Sequence, residues 1–214
     1  MGDFSKTRVE ALSDGIFAII ITLLVLEIKV PHVADRRSAE ALMVALSGLL
    51  PKVLSWIMSF LMVCVIWVNH HRLLTRVDHF SHGLFWLNAN LLLWCSFIPF
   101  PTALLGDYTE NPVSHIVFGG ILALAAASFT LIRVYMLRHP ETMLAGTDVT
   151  AFRAATRRSL LFGPAAYAVG ALSSLLHPYL AFTIFLFIPL FHLFRHTPLN
   201  HNHTPHEHLH HRNR

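Results

Sequence analysis

The residues with the clearest chemical potential form a short polar stretch that leads directly into an apolar segment. Leu12-Ser13-Asp14 precedes a run of Ile, Leu, Val and Ala residues whose interior holds one hydroxyl group, that of Thr22. A carboxylate at the mouth of a membrane span is energetically costly, so such a residue usually has a partner and a function. The sequence therefore predicts that Asp14 joins a polar network and that Thr22 offers the one side-chain oxygen inside the segment.

Helical geometry separates Asp14 from an apolar stripe on the same segment. Successive residues of a helix lie about 100° apart. Ile19, Leu23 and Leu26 then form one narrow stripe, with Ile19 about 140° from Asp14 and Thr22 at the edge of the stripe. Such a stripe occurs in helices that face lipid or a protein core, and it also suits the wall of a pore. In each case, Asp14 points away from the stripe toward neighbouring helices.

Polar residues of the second and third apolar segments are the predicted partners of Asp14. An unsatisfied polar group is costly in hydrocarbon, so a network of this kind would fix how the helices pack against each other. We therefore expect Asp14 to be a structural lock rather than an ion ligand. For three of the candidates, His70, His71 and His82, exposure at the membrane surface fits the sequence equally well. The predicted network comprises Arg8, Ser13, Asp14, Asn69, His70, His71 and Asn88.

The composition and the length of the apolar segments predict a membrane protein. Of the 214 residues, 54% are hydrophobic and 13% are charged, which is too little polar surface for a soluble domain of this size. About 20 residues are needed to cross the hydrocarbon core as a helix. The sequence therefore predicts an all-α protein with six transmembrane helices, at about 11–30, 47–69, 84–105, 113–137, 158–177 and 179–195.

The distribution of Lys and Arg predicts how these spans are oriented. If the N-terminus is inside, 12 of these residues lie in cytoplasmic segments and 4 lie on the opposite side. Short cytoplasmic loops carry an excess of positive charge. We therefore expect a multi-pass protein of the cytoplasmic membrane with both termini in the cytoplasm. This orientation accounts for the net charge of +4 without a nucleic-acid partner.

The sequence divides into a membrane domain with six predicted spans and a polar tail. Residues 1–195 hold all six predicted spans, and residues 196–214 include seven histidines. His-rich tracts can bind transition metals. Because the tail contains no Cys and few carboxylates, it specifies no defined metal site. We expect a disordered cytoplasmic tail with incidental metal affinity.

Three motifs are specific enough to indicate a family. The stretch Arg8-x-x-x-Leu12-Ser13-Asp14 and the apolar residues after it resemble the Arg-x-x-x-Phe-Ser-Asp signature. That signature belongs to prokaryotic relatives of the lysosomal potassium channel transmembrane protein 175. Trp67-Val-Asn69-His70-His71-Arg72 and Trp86-Leu-Asn88 are similar to the second and third spans of these proteins. The chain departs from the signature at Leu12, where the family usually has Phe.

The resemblance implies an architecture and a set of pore residues. In the family, four six-helix subunits surround a central pore that the first helix lines, without a Thr-Val-Gly-Tyr-Gly filter. Ile19 would then form the apolar constriction, Thr22 would influence ion selectivity, and Leu23 and Leu26 would continue the lining. The implied stripe is the one that helix geometry defines.

These observations predict a homotetrameric, potassium-permeable cation channel that conducts passively in the lipid bilayer and needs no cofactor. One alternative is a proton pathway or secondary transporter that uses Asp14 with His70, His71 and His82. Transporters often contain two related halves, and residues 8–26 have no counterpart in the second half of this chain. An enzyme is not expected, because the sequence contains neither His-Glu-x-x-His nor Gly-x-Ser-x-Gly.

Overall fold

The computed structural model describes residues 4–194, and these residues form helices joined by short loops. No β-strand occurs within this range, so the prediction of an all-α protein is confirmed. The predicted tail, residues 196–214, lies outside the described residues. The helices are α1 (Lys6–Leu24), α2 (Ala39–Ser47), α3 (Leu50–Leu74), α4 (His82–Ser96), α5 (Pro99–Asp107), α6 (Pro112–Arg138), α7 (Val149–Ser173) and α8 (Pro178–Phe194).

Four helical segments in the described range are long and apolar enough to cross a membrane. They are Lys6–Glu27, Leu50–Leu74, His82–Asp107 and Pro112–Arg138, and they coincide with the first four predicted spans. The first half of α7 carries three arginines, and the apolar part of α8 is short. Length and composition thus support four spans, and the six-span count stays a prediction.

The predicted third span is two helices rather than one. α4 ends at Ser96 and α5 begins at Pro99. Proline has no amide proton, and its ring clashes with the preceding turn, so Pro99 and Pro101 cannot continue the hydrogen bonding of α4. The Thr102 hydroxyl donates a hydrogen bond to Ser59 Oγ at 2.7 Å. This contact ties α5 to α3 just beyond the break.

The packing places α1 at the side of the helical assembly. α1 packs against α3 and α4, whereas α6 packs against α4 and most extensively against α7. Phe17 of α1, Met62 of α3, Leu91 of α4 and Phe118 of α6 are almost fully buried in one core. Because α1 has helices on one flank only, its other face remains open in a single chain.

The start of the chain is fixed against the loop that joins α3 to α4. Phe4 N donates a hydrogen bond to Phe80 O at 3.1 Å, and Lys6 Nζ donates to Val77 O at 2.6 Å. The Phe4 ring also stacks on Phe85, with 4.1 Å between ring centroids. These contacts orient α1 at its first turn, before the helix enters its apolar part.

Candidate pore helix and its polar network

One face of α1 is buried against its neighbours. Val9, Ser13, Phe17, Ile20 and Leu24 recur every three or four residues and are no more than 3% exposed. This spacing is that of a single helix face. α1 therefore has a fixed rotation, with these residues turned toward α3 and α4.

The opposite face of α1 carries the predicted pore residues. Ile19 is 58% exposed, Leu23 is 41% exposed and Leu26 is 60% exposed. Thr22 is also exposed, between them. The α-helix ends before Leu26, which lies in a short 3-10 turn at Val25–Glu27. All four predicted residues thus share one open surface.

The Thr22 hydroxyl is held against its own helix. Its Oγ1 donates hydrogen bonds to the carbonyl oxygens of Ala18, at 3.1 Å, and Ile19, at 2.9 Å. Because the proton is directed to the backbone, the lone pairs of Oγ1 are left for the exposed side. An exposed hydroxyl oxygen in this orientation can accept a hydrogen bond from water or contact a cation.

Three predicted network residues meet in the buried contact between α1, α3 and α4. Asn88 Nδ2 donates to Ser13 Oγ at 3.1 Å, and His70 Nε2 donates to Asn88 Oδ1 at 2.7 Å. Ser13 Oγ in turn donates to Val9 O at 2.8 Å. All three side chains are at most 2% exposed. Asn88 is the central member, because it bridges the other two.

Asp14 lies outside this buried group. Its carboxylate accepts a hydrogen bond from Trp67 Nε1 at 2.9 Å, in an exposed position. The His71 ring stacks on Trp67 with 5.9 Å between ring centroids. Asp14 and His71 thus both contact the indole ring of Trp67, which is also one of the polar groups that the sequence offers at the end of the second span.

The remaining predicted members lie apart from both groups. Arg8 is exposed and Asn69 is half-buried, and neither side chain forms a hydrogen bond or ion pair with any residue in 4–194. His82 Nε2 accepts a hydrogen bond from Trp86 Nε1 at 3.0 Å on the surface of α4. The structure therefore brings together Ser13, His70 and Asn88, and separately Asp14, Trp67 and His71.

Two contacts near the site were not predicted from the sequence. Phe17 lies against His70, with 5.4 Å between ring centroids, and helps to exclude water from the buried group. Near the opposite end of α1, Lys52 Nζ and Asp107 form an ion pair between α3 and α5 at 2.5 Å. An aromatic residue four positions after Ser13 was the available signal for the first contact. No sequence signal was available for the ion pair, because Lys52 and Asp107 are far apart in the sequence.

Comparison with known proteins places the chain in a family. The family described as "Endosomal/lysosomal potassium channel TMEM175" matches residues 8–99. A protein of Chamaesiphon minutus named a potassium channel is 38% identical over 167 residues, which cover 76% of this chain and 80% of that protein. The chain belongs to the TMEM175 family. A Chryseobacterium relative, also named a potassium channel, is 31% identical over 87% of this chain and 91% of its own length.

Solved structures of the TMEM175 family share the fold. The crystal structure of a lysosomal potassium-selective channel TMEM175 homolog from Chamaesiphon minutus matches with a TM-score of 0.77 and 35% identity, covering 89% of this chain and 97% of that one. The crystal structure of a variant of the potassium channel MtTMEM175, in complex with a nanobody fusion protein, is similar in fold alone. It matches with a TM-score of 0.59 and 17% identity, covering 87% of each chain.

A human relative carries a different functional name. The human endosomal/lysosomal proton channel TMEM175 is 34% identical over 113 residues, which are 50% of this chain and 22% of that protein. The relatives are ion channels and not enzymes, as we expected of this chain.

Replacing Asn88 tests the buried group. In Asn88→Leu, His70 Nε2 loses its acceptor and Ser13 loses a donor, and an unsatisfied buried polar group typically costs about 1–3 kcal/mol. We expect the melting temperature in detergent to fall by several degrees. Asp14→Asn keeps an oxygen that can accept from Trp67, so it should melt within about a degree of the original chain.

Asn69→Leu is the matched control, because Asn69 is half-buried and forms no hydrogen bond within residues 4–194. It should melt close to the original chain. Equal melting temperatures for Asn88→Leu and Asn69→Leu would contradict the assignment of Asn88 as the bridge.

Proposed function

We propose that this protein is a homotetrameric, potassium-permeable cation channel of the cytoplasmic membrane. In this proposal each subunit has six transmembrane segments. Four are the segments that qualify by length and composition, and α7 and α8 are the fifth and sixth. The first helix of each subunit lines a central pore, and both termini are cytoplasmic. Membership of the TMEM175 family and the names of the bacterial relatives support potassium permeation.

The observation that carries the proposal is the open face of α1. Ile19, Leu23 and Leu26 are large, exposed and contiguous, and Thr22 places a hydroxyl among them. In lipid, the Thr22 hydroxyl would make only the hydrogen bonds to its own backbone. Four copies of this face around one axis would instead form a narrow apolar channel with a ring of four hydroxyl groups.

In this arrangement Ile19 forms the constriction. A ring of four isoleucine side chains excludes water and ions when it is narrow, and it conducts when it widens. The exposed fraction of Ile19, 58%, leaves its side chain free to meet its symmetry mates. Leu23 and Leu26 extend the apolar lining toward the far end of α1.

Thr22 is the proposed determinant of ion choice. Isoleucine and leucine offer no oxygen that could replace the hydration shell of an ion. The Thr22 oxygen lies one helical turn from Ile19 and has its proton bound to the backbone. Its lone pairs can therefore face a cation that passes the constriction.

The proposed orientation follows from the charges around the spans. Lys6 and Arg8 lie at one end of α1, and Arg72, Arg76 and Arg138 lie near the ends of α3 and α6. The hydrogen bond between Lys6 and Val77 O places the start of α1 beside the end of α3. The positive-inside rule then assigns this end to the cytoplasm.

Proton conduction is the second candidate, because the human relative is named a proton channel. A relay through one subunit would require a continuous chain of titratable groups. In the described residues, Asp14 bonds to Trp67, His70 bonds to Asn88, and His82 bonds to Trp86. No hydrogen bond between described side chains joins these three contacts, and this favours conduction along α1 over a relay through the histidines.

Replacing Ile19 tests the constriction. Ile19→Asn would place an amide in the narrowest apolar ring, wet the constriction and raise the leak current severalfold in liposome flux or bilayer recordings. The control is Ile116→Asn, which makes the same change on the exposed surface of α6. A conductance of Ile19→Asn tetramers equal to that of Ile116→Asn tetramers would exclude Ile19 from the constriction.

Replacing Thr22 tests ion choice. Thr22→Val keeps the shape of the side chain but removes its oxygen, so the potassium-to-sodium permeability ratio should fall at least twofold. Thr22→Ser keeps the hydroxyl and should keep most of the selectivity. Reversal potentials measured under bi-ionic conditions give the ratio. An unchanged ratio in Thr22→Val would place selectivity elsewhere, and a reversal potential that follows the proton gradient would favour the second candidate.

A further inference from the structure

A cavity of about 530 Å³ lies where α3 and α6 end and α7 begins, and none of its lining residues belongs to α1. Its walls include Thr75 and Arg76 after α3, Arg133 near the end of α6, the loop 144–148 and the first turn of α7. Leu144 N donates to Arg76 O at 2.8 Å, which fixes the loop against α3. The cavity opens at the end of the bundle that also carries the start of α1.

The guanidinium of Arg133 is held in place by two aromatic rings. It lies 5.0 Å from the centroid of Phe152 and 5.8 Å from that of Phe129. Arg133 Nε donates to Thr156 Oγ1 at 3.3 Å. These contacts fix the plane of the group, as cation–π contacts do. Within residues 4–194 its two Nη groups have no acceptor, so a fork of N–H donors remains available.

The positive charge of the cavity is not neutralised. Neither Arg76 nor Arg133 forms an ion pair with a residue in 4–194, although both side chains line the same cavity. A half-buried charge normally has a partner of opposite sign. The carboxylate in the wall, Asp148, accepts a hydrogen bond from Ala151 N at 2.9 Å and caps α7. Two arginines thus share the cavity with one carboxylate that is already engaged.

The position of the cavity also suits an anion at a membrane surface. Arg133 lies five residues before the end of α6 at Arg138, which corresponds to about 7.5 Å along the helix axis. The headgroup region of a bilayer is about as thick, since the bilayer measures about 30 Å across its hydrocarbon core and about 40–45 Å with its headgroups. The first turn of α7 lies in the same wall, and the N-terminal end of a helix dipole favours negative charge.

We propose that Arg76 and Arg133 form a binding site for a phosphate group in this cavity. The fork of Arg133 binds two phosphate oxygens, as planar guanidinium groups do, and the guanidinium of Arg76, which lines the same cavity, adds a second positive charge to the site. The phosphate comes either from the headgroup of an anionic lipid or from a soluble phosphate ester. No residue of α1 lines the cavity, and the site does not depend on which ion the pore conducts.

The test measures binding to the full-length chain in an uncharged detergent after lipid removal. Dioctanoyl phosphatidylglycerol and glycerol 3-phosphate are titrated separately, and the rise in melting temperature gives an apparent affinity. Arg133→Gln and Arg76→Gln should each weaken binding about tenfold or more. Arg138→Gln is the matched control, because Arg138 is exposed on the same helix but does not line the cavity, and it should bind as the original chain does.

Stabilisation by the lipid alone would identify a headgroup as the source, and stabilisation by both compounds would show that the phosphate group suffices. The proposal is overturned if neither compound stabilises the protein, or if Arg138→Gln weakens binding as much as the two cavity variants. Arg133→Gln could fail to fold because the contacts with Phe129 and Phe152 are lost. In that case the comparison of binding between Arg76→Gln and Arg138→Gln is the test of the site. Arg76 is exposed, and its Nη1 donates a hydrogen bond to Arg72 O at 2.7 Å rather than contacting an aromatic ring.

Discussion

The rotation of the first helix depends on the buried hydrogen bonds of Asn88. This side chain joins Ser13 of α1 to His70 of α3 from its position on α4, and all three are almost fully buried. In apolar surroundings an unpaired amide or imidazole is costly, so α1 cannot rotate about its axis without losing these bonds. From Gly15 to Leu24 every side chain of α1 except Thr22 is apolar or absent, so hydrophobic packing alone discriminates weakly between rotations of this part of the helix. The polar contact selects one.

The rest of the proposed function follows from that rotation. With Ser13, Phe17 and Ile20 directed inward, Ile19, Thr22 and Leu23 must face outward, because they lie on the other side of the same helix. The surface that α1 would present to other subunits in the proposed tetramer is therefore set within each subunit. A short buried network at the start of the helix positions the proposed constriction and the Thr22 hydroxyl, which lie one to three turns farther along.

The sequence predicted the faces of α1 better than it predicted the partners of its polar residues. Helical spacing alone placed Ile19, Thr22, Leu23 and Leu26 on one side, because that spacing depends only on local geometry. The contact of Asp14 with Trp67 rather than with Asn88 depends on the rotation and depth of α3 and α4, which local spacing does not encode. The division of the third span at Pro99 is different, because the prolines encode the break locally, while the apolar run that continues through it predicts a single span.

The most direct test of a pore lined by the first helix is the accessibility of α1 to a charged thiol reagent. In a background without Cys64, Thr22→Cys channels are exposed to a cationic methanethiosulfonate during potassium current recordings. If α1 lines the pore, Thr22→Cys channels should lose current irreversibly. Leu124→Cys, which changes an exposed position on α6, should show no effect. Current loss in Leu124→Cys with none in Thr22→Cys would contradict a pore lined by the first helix.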